Sequence, residues 1–288
     1  MTVPAVSFEF FPPKNLEASF KLWDTVQVLS PLAPRFVSVT YGAGGTTRDL
    51  TRDAVATLHK HMGLNTAAHL TCVNATREET LAVADSFAAA GVTELVALRG
   101  DPPKGAGAFS VHPGGFANSV ELVEALADKG KFTIRVGAYP EPHPESPDTA
   151  ADVAWLKRKF QAGADEAITQ FFFETETFLR FRDDCARAGI DKPVVPGIMP
   201  IENWKGMRKF AAGCGAHFPD TLVDAFEKAD RDGRADLLAT ALCTEMCDRL
   251  LSEGVENLHF YTLNKPELTR DVCHALGVTP QARFENVA

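Results

Sequence analysis

Eight short runs of β-branched and aromatic residues alternate with longer helical patterns along nearly the whole chain. The strand segments are 6–11 (VSFEFF), 36–42 (FVSVTYG), 67–72 (AAHLTC), 94–100 (ELVALRG), 133–139 (TIRVGAY), 167–173 (AITQFFF), 194–200 (VVPGIMP) and 257–263 (NLHFYTL). Helical patterns fall at 17–30, 48–62, 76–90, 117–129, 149–162, 175–188, 202–212 and 266–276, with two more near 219–229 and 232–253 before the last strand. Strands separated by helices run parallel, and a parallel sheet needs both faces covered. Over 288 residues the closed solution is an α/β fold, a (β/α)8 TIM barrel with extra helices before the last strand, forming one domain over residues 1–288. An open doubly wound sheet is the alternative. It calls for a glycine-rich phosphate turn after the first strand, where Pro12, Pro13 and Lys14 stand instead.

Local signals agree with this division. Thr76 precedes Glu78 and Glu79 at one helix start, and Asp148-Thr149 opens the fifth helix. Gly91 and Gly163 follow helices, where a left-handed stop residue is expected. The net charge of −9 and pI near 5.4 speak against nucleic acid or an anionic membrane as partner. No apolar run reaches transmembrane length, and MTVPAVSFEFF lacks a basic start and a cleavage site, so the expected compartment is cytoplasmic. Cys72, Cys185, Cys214, Cys243, Cys247 and Cys273 form no C-x-x-C pair, and neither disulfides nor a metal is expected. Cys243 and Cys247, one helical turn apart, read as small core residues on one face.

Barrel enzymes carry their chemistry at the C-terminal ends of the strands. Those ends supply Glu9, then Thr40 and Tyr41, His69 with Thr71, Arg99-Gly100-Asp101, Tyr139 followed by Glu141 and His143, Gln170, Met199, and Tyr261 with Asn264. One rim would gather them into a single pocket of mixed donors, acceptors and aromatic walls. Glu9 sits among Phe8, Phe10 and Phe11, and alternation puts Ser7, Glu9 and Phe11 on one strand face. Burying a carboxylate there predicts a raised pKa, as a general acid requires; an edge strand with Glu9 turned to water is the alternative.

Three further segments narrow the chemistry. In LRGDPP (98–103), Arg99 has the fork that suits phosphate, Gly100 permits close backbone approach, and Asp101 adds negative charge; mutual pairing of Arg99 and Asp101 is the alternative. On the fifth helix Asp152, Trp155 and Lys159 share a face, set to clamp an extended ligand or simply to meet water. Gln170 lies inside the apolar QFFF, where its amide suits the edge of a heterocycle or an internal backbone bond.

Taken together, SFEFFPP, FVSVTYGAGG, AHLTC, LVALRGDPP, AYPEPHPE, LKRKFQAGAD, AITQFFF, PGIMPI and LHFYTLN resemble the methylenetetrahydrofolate reductase family, in its order and over almost the whole chain. The form resembled is bacterial, without the C-terminal regulatory domain of the eukaryotic enzymes. The resemblance implies a flavoprotein oxidoreductase of one-carbon metabolism and methionine biosynthesis. It would hold FAD non-covalently and reduce 5,10-methylenetetrahydrofolate to 5-methyltetrahydrofolate with NADH or NADPH, by a ping-pong scheme that can also run in reverse. A homo-oligomer is expected.

Carried residue by residue, the resemblance makes Glu9 the general acid that protonates folate N10, and Asp101 the carboxylate that favours the cationic intermediate. Gln170 would touch both folate and nicotinamide, Phe210 would stack on the substrates, and Thr40 would contact nicotinamide. FAD contacts are implied for Tyr41, Ala43, His69, Arg99, Gly100, Asp101, Tyr139, His143, Asp152, Arg158 and Lys159. Two substrate positions depart from the family pattern. Gly206 stands where a glutamine contacts folate. Lys265, the expected contact to the folate tail, replaces an arginine and loses its bidentate fork. The loop 42–49 (GAGGTTRD) is also unusually rich in glycine. The competing readings are a barrel lyase or aldolase with Lys159 or Lys265 as Schiff-base nucleophile, and a folate- or flavin-binding protein without catalysis.

Overall fold

The computed structural model describes residues 3–41, 48–101, 105 and 109–281. Strand and helix alternate from β1 (Ala5–Phe10) and α1 (Leu16–Leu29) through β2 (Val37–Val39), α2 (Arg48–Met62), β3 (Thr66–Thr71), α3 (Arg77–Ala89), β4 (Glu94–Leu98) and α4 (Ser119–Ala127). The pattern continues with β5 (Thr133–Ala138), α5 (Thr149–Gln161), β6 (Glu166–Thr169) and α6 (Thr175–Arg187). After β7 (Val194–Val195) and β8 (Gly197–Ile198) come α7 (Trp204–Cys214), α8 (Asp220–Arg231), α9 (Ala235–Ser252), β9 (Asn257–Tyr261) and α10 (Pro266–Ala275). The strands lie in the order β7-β6-β5-β4-β3-β2-β1-β9-β8, and the pairs are parallel.

The segment 194–200, expected as one strand, is broken at Pro196, which has no N–H for a ladder. Val194 and Val195 pair with Ala167 and Ile168. Gly197 and Ile198 pair instead with His259 and Phe260. The Pro196 carbonyl accepts from the His259 N–H at 3.1 Å. This broken strand closes the barrel between β6 and β9, giving the expected (β/α)8 TIM barrel with α8 and α9 as the extra helices before the last strand.

Helix ends follow the sequence signals. Thr76 and Glu79 form a reciprocal capping box, and Asp148 accepts from the Ala151 N–H. Gly91 and Gly163 stop their helices at φ +89° and +116°. Strand alternation sorts the barrel wall into two sets. Phe8 and Phe10 are buried outward under the helices, where Phe8 packs on Phe260 at 6.2 Å. Cys243, Cys247 and Cys273 are buried in the same outer core. Phe36, Ala67, Val96 and Ile168 fill the inside.

Below that inner layer, at the N-terminal end of the barrel, Arg135 binds Glu166 at 2.8 Å and also Glu94. Arg35 joins Glu166 at 2.8 Å, and the Arg135 guanidinium lies 3.8 Å from the Phe36 ring centre. No helix among the described residues is long and apolar enough to cross a membrane.

Candidate active site

The upper end of the barrel is built around Glu9. In register Glu9 faces Ser38 on β2 and Tyr261 on β9, while Ser7 faces His259. The strand end is tied down by its neighbours. Thr262 Oγ1 donates to the Glu9 carbonyl at 2.7 Å, and the Asn264 side chain accepts from Phe11 N–H and donates to Phe11 O, at 2.9 and 3.0 Å. This clamp places the Glu9 side chain inside the barrel, with Oε2 3.2 Å from His69 Nε2 and 3.8 Å from His259 Nε2. His259 is held from behind, its Nδ1 2.8 Å from Ser7 Oγ and its ring stacked 5.7 Å from Phe36.

These imidazoles overturn the raised pKa expected for Glu9. Burial does push its pKa upward, but the charge interaction with His69 and hydrogen bonding from His259 and His69 bring it down to about 2. The phenylalanines that suggested an apolar setting do not enclose it: Phe8 and Phe10 are buried in the outer core, and Phe11, which lines the same cavity, is 43% exposed. Burial lowers the pKa of His259, which keeps it neutral.

Glu9 opens into a cavity of about 300 Å³ that also meets Thr40, Tyr41, His69, Asp101, Tyr139, Gln170, Met199, Phe210 and Tyr261. Residues from eight strand ends and from α7 thus share one space, as the rim pattern predicted. Tyr261 donates to Thr169 O at 2.7 Å. It lies so close over Gly197 that an added side chain there would meet its ring at 2.5 Å. Gln170 Oε1 accepts from the Phe171 N–H at 3.0 Å, leaving the amide Nε2 as donor. Phe210 is 46% exposed and stacks on Phe171 at 5.5 Å, forming an aromatic wall at the mouth.

A second cavity, of about 390 Å³, adjoins the first and shares Leu98, Asp101, Gly137, Ala138 and Tyr139 with it. It runs between the ends of β4 and β5 and the helices α4 and α5. Arg99, Gly100, His143, Asp152, Trp155 and Lys159 line it, so the shared face predicted on the fifth helix points into a cavity rather than into water. Lys159 donates to Gly137 O at 2.7 Å, and burial brings its pKa down to about 8. Asp152 accepts from His143 N–H at 2.9 Å and from Ser146 Oγ at 2.6 Å. Burial, then the charge of Asp101, raises the Tyr139 pKa to about 12, and its ring meets the His143 edge at 4.7 Å.

Arg99 does not pair with Asp101. It grips Glu145 through two bonds, at 2.5 and 3.0 Å, with Phe109 stacked on it at 4.5 Å. Gly100 has φ +85°, and a Cβ there would meet Thr71 and Val73 at 2.8 Å. Its glycine is therefore required by the chain itself rather than only by a ligand's approach.

Four residues fall away from these cavities. Arg158 is exposed and reaches the second cavity only through Trp155, 4.4 Å from its ring centre. Lys265 pairs with Glu202 at 2.7 Å in a separate groove beside α1, α9 and α10. Gly206 sits in the first turn of α7, donating to the Asn203 cap at 3.2 Å. Glu141 turns away to accept from His217 N–H at 3.1 Å. Ala43, with residues 42–47, lies outside the described residues.

Sequence reading missed Glu145, Ser146, Ser7 and His259. The period-2 alternation of NLHFYTL could have found His259, since it puts His259 on the same face as Tyr261.

The chain matches the family described as methylenetetrahydrofolate reductase over residues 2–277. The 5,10-methylenetetrahydrofolate reductase of Salmonella typhimurium (strain LT2) is 44% identical over 276 residues, 96% of this chain and 91% of that one. Methylenetetrahydrofolate reductase (NADH) 1 of Arabidopsis thaliana is 37% identical over 292 residues, 97% of this chain and 49% of that one. Among solved structures, an uncharacterized protein from Clostridium thermocellum that binds two copies of 5-methyl-5,6,7,8-tetrahydrofolic acid shares the fold, with TM-score 0.62 and 16% identity over 96% of this chain and 94% of that one. With a whole-length family match, such relatives and an acidic residue at the floor of a barrel-mouth cavity, this chain belongs to the methylenetetrahydrofolate reductase family.

Proposed function

We propose that the protein reduces 5,10-methylenetetrahydrofolate to 5-methyltetrahydrofolate with NADH or NADPH and FAD. The observation that carries the reading is a buried carboxylate, Glu9, at the floor of one cavity whose wall, Asp101 and Tyr139, it shares with a second cavity bearing two cations. The second cavity fits an extended dinucleotide. Arg99 and Lys159 suit a diphosphate, Asp152 suits hydroxyls, and Trp155 and Tyr139 offer ring faces. For Arg99 to serve, its grip on Glu145 must be exchanged for the ligand. A bound FAD would supply hydride relay, accepting from reduced nicotinamide and passing on to folate in turn.

The chain's own work is proton delivery and positioning. The O–H of Glu9 gives its proton to folate N10, the bond from the bridging carbon to N10 breaks, and the positive charge moves to the N5 iminium. Glu9 is ionised while the cavity is open to water, so it takes up its proton from solvent as the pocket fills. A bound ring displaces water and strengthens the burial effect that already opposes its ionisation. Asp101, at the joint between the cavities, faces the developing cation. Gln170 Nε2 donates to ring acceptors of either substrate, and the Phe171–Phe210 stack holds an aromatic segment at the mouth.

The test is spectroscopic. Purified protein loaded with FAD shows a flavin spectrum that NADH or NADPH bleaches and methylene-folate restores. A protein that cannot be reconstituted with FAD would sink the reading. One observation favours a second reading: the lowered pKa of buried Lys159 is what a Schiff-base nucleophile needs. Borohydride trapping of a carbonyl substrate on Lys159 would favour the lyase over the reductase.

A further inference from the structure

Both imidazoles near Glu9 address the same carboxylate oxygen. His69 Nε2 and His259 Nε2 lie 3.2 and 3.8 Å from Oε2. Each of these nitrogens is buried without a fully formed hydrogen bond among the described residues. A buried polar nitrogen is stabilised by a partner, and the one carboxylate oxygen within reach of both is Oε2.

Ser7 supports the way His259 meets it. Ser7 Oγ is 2.8 Å from His259 Nδ1 but 3.4 Å from Leu258 O. With the imidazole proton on Nε2, facing the carboxylate, Nδ1 is the acceptor for the Ser7 hydroxyl at the shorter contact, made in place of the longer bond to Leu258 O. The opposite tautomer would set a bare lone pair against an anionic oxygen. The ring cannot turn away, because Phe36 stacks on it at 5.7 Å and Tyr261 meets it edge-on at 5.3 Å. The other titratable groups around this cluster are His69 on β3, Tyr261 on β9 and Arg135 on β5.

We propose that His259, fixed as its Nε2–H tautomer by Ser7, is a positioning residue for Glu9. With His69 it occupies Oε2, so the proton Glu9 delivers is carried on Oε1, the oxygen left toward the cavity. This rests on the reading of Glu9 as the proton donor. Ser7 and His259 touch no substrate and act only through the carboxylate.

Difference infrared titration of the ligand-free protein, with the Glu9→Gln protein subtracted, reads this carboxyl directly. Ser7→Ala and His259→Asn should each raise its midpoint by about one unit, because a donor to the charged form is lost. His259→Gln keeps an N–H near the Nε2 position and should restore a midpoint near that of the wild type. The pH profile of folate-dependent flavin reoxidation should move in the same order, with the rate about tenfold lower in the two disruptive variants. Folded variants whose midpoints and profiles match the wild type overturn the inference. If Ser7→Ala does not fold, the contrast of His259→Asn with His259→Gln decides alone. Shifted infrared midpoints in a protein that never reduces methylene-folate would sink the reductase reading and leave the positioning of Glu9 standing. Normal turnover with unmoved midpoints would do the reverse.

Discussion

The two ends of the barrel both bury charge, and they handle it in opposite ways. At the N-terminal end Arg35, Glu94, Arg135 and Glu166 bond to one another, and Asn65 ties Glu94 from outside. These charges neutralise each other within the chain, and none of them lines either of the two cavities at the other end. At the C-terminal end Glu9 has two imidazoles and an open cavity, Asp101 is exposed at a joint between two cavities, and Gln170 keeps a donor free. One end holds the strands in place; the other holds groups ready for something that is not the chain. Burial is therefore not what marks the site. The mark is a buried group whose partners leave one side of it open.

The largest test of that contrast is Glu9→Gln. It should lower folate turnover by about 10²–10⁴-fold while flavin reduction by nicotinamide persists, measured as separate half-reactions by stopped flow. Unimpaired folate turnover would remove Glu9 from the role of acid. Arg135→Met is the counterpart at the other end. It strands Glu94 and Glu166 without their cation and should cost about 3–5 kcal/mol in a urea unfolding experiment. If Glu9→Gln destabilised the fold as much, the distinction between the two ends would collapse.

Next in size is Lys159→Met, expected to weaken FAD binding tenfold or more, read by quenching of flavin fluorescence. In the wild type the same affinity should fall as pH rises through about 8, where Lys159 loses its proton; a flat profile would take Lys159 out of the anion site.

Acid unfolding gives a smaller effect. The Glu9 pKa is about 2 in the fold against an ordinary 4.5. Its contribution is therefore complete above pH 4.5 and is lost as pH falls toward 2, because there the unfolded chain binds the extra proton. The Glu9→Gln protein should lose less stability than wild type across that window. Smallest is Phe210→Ala. At 46% exposure it should change stability within about 0.5–1 kcal/mol and raise the folate KM a few-fold.

The fold was legible because its signal is repetitive. Eight alternations, capped by residues such as Thr76 and Asp148, leave few topologies for a parallel sheet. The break at Pro196 was readable in principle, since a proline inside a central strand removes a ladder donor, but only the pairing partners show which strand each half joins. The rim residues were legible as a set, because strand ends converge whatever the details of packing. Partners across the barrel were not. Glu9 looked apolar from its own strand, and its true neighbours, His69 and His259, come from segments far away in sequence. Arg99 is likewise two residues from an obvious mate, Asp101, yet binds Glu145 instead. Lys265 lies directly after a site strand, but its pairing with Glu202 carries it to another groove.

The pairing of the first strand with the last has a consequence for how the protein comes to exist. Ser7 and His259 are 252 positions apart, and Glu9 has no strand on its β9 side until residues 257–261 are made. A chain leaving the ribosome N-terminus first carries Glu9 early and the strand that flanks it late. For most of synthesis β1 is an edge whose apolar face, Phe8 and Phe10, has only part of its eventual cover. The surroundings of Glu9 are thus unfinished until β9 is made, and the interval before β9 emerges is when the open edge of β1 most needs shielding.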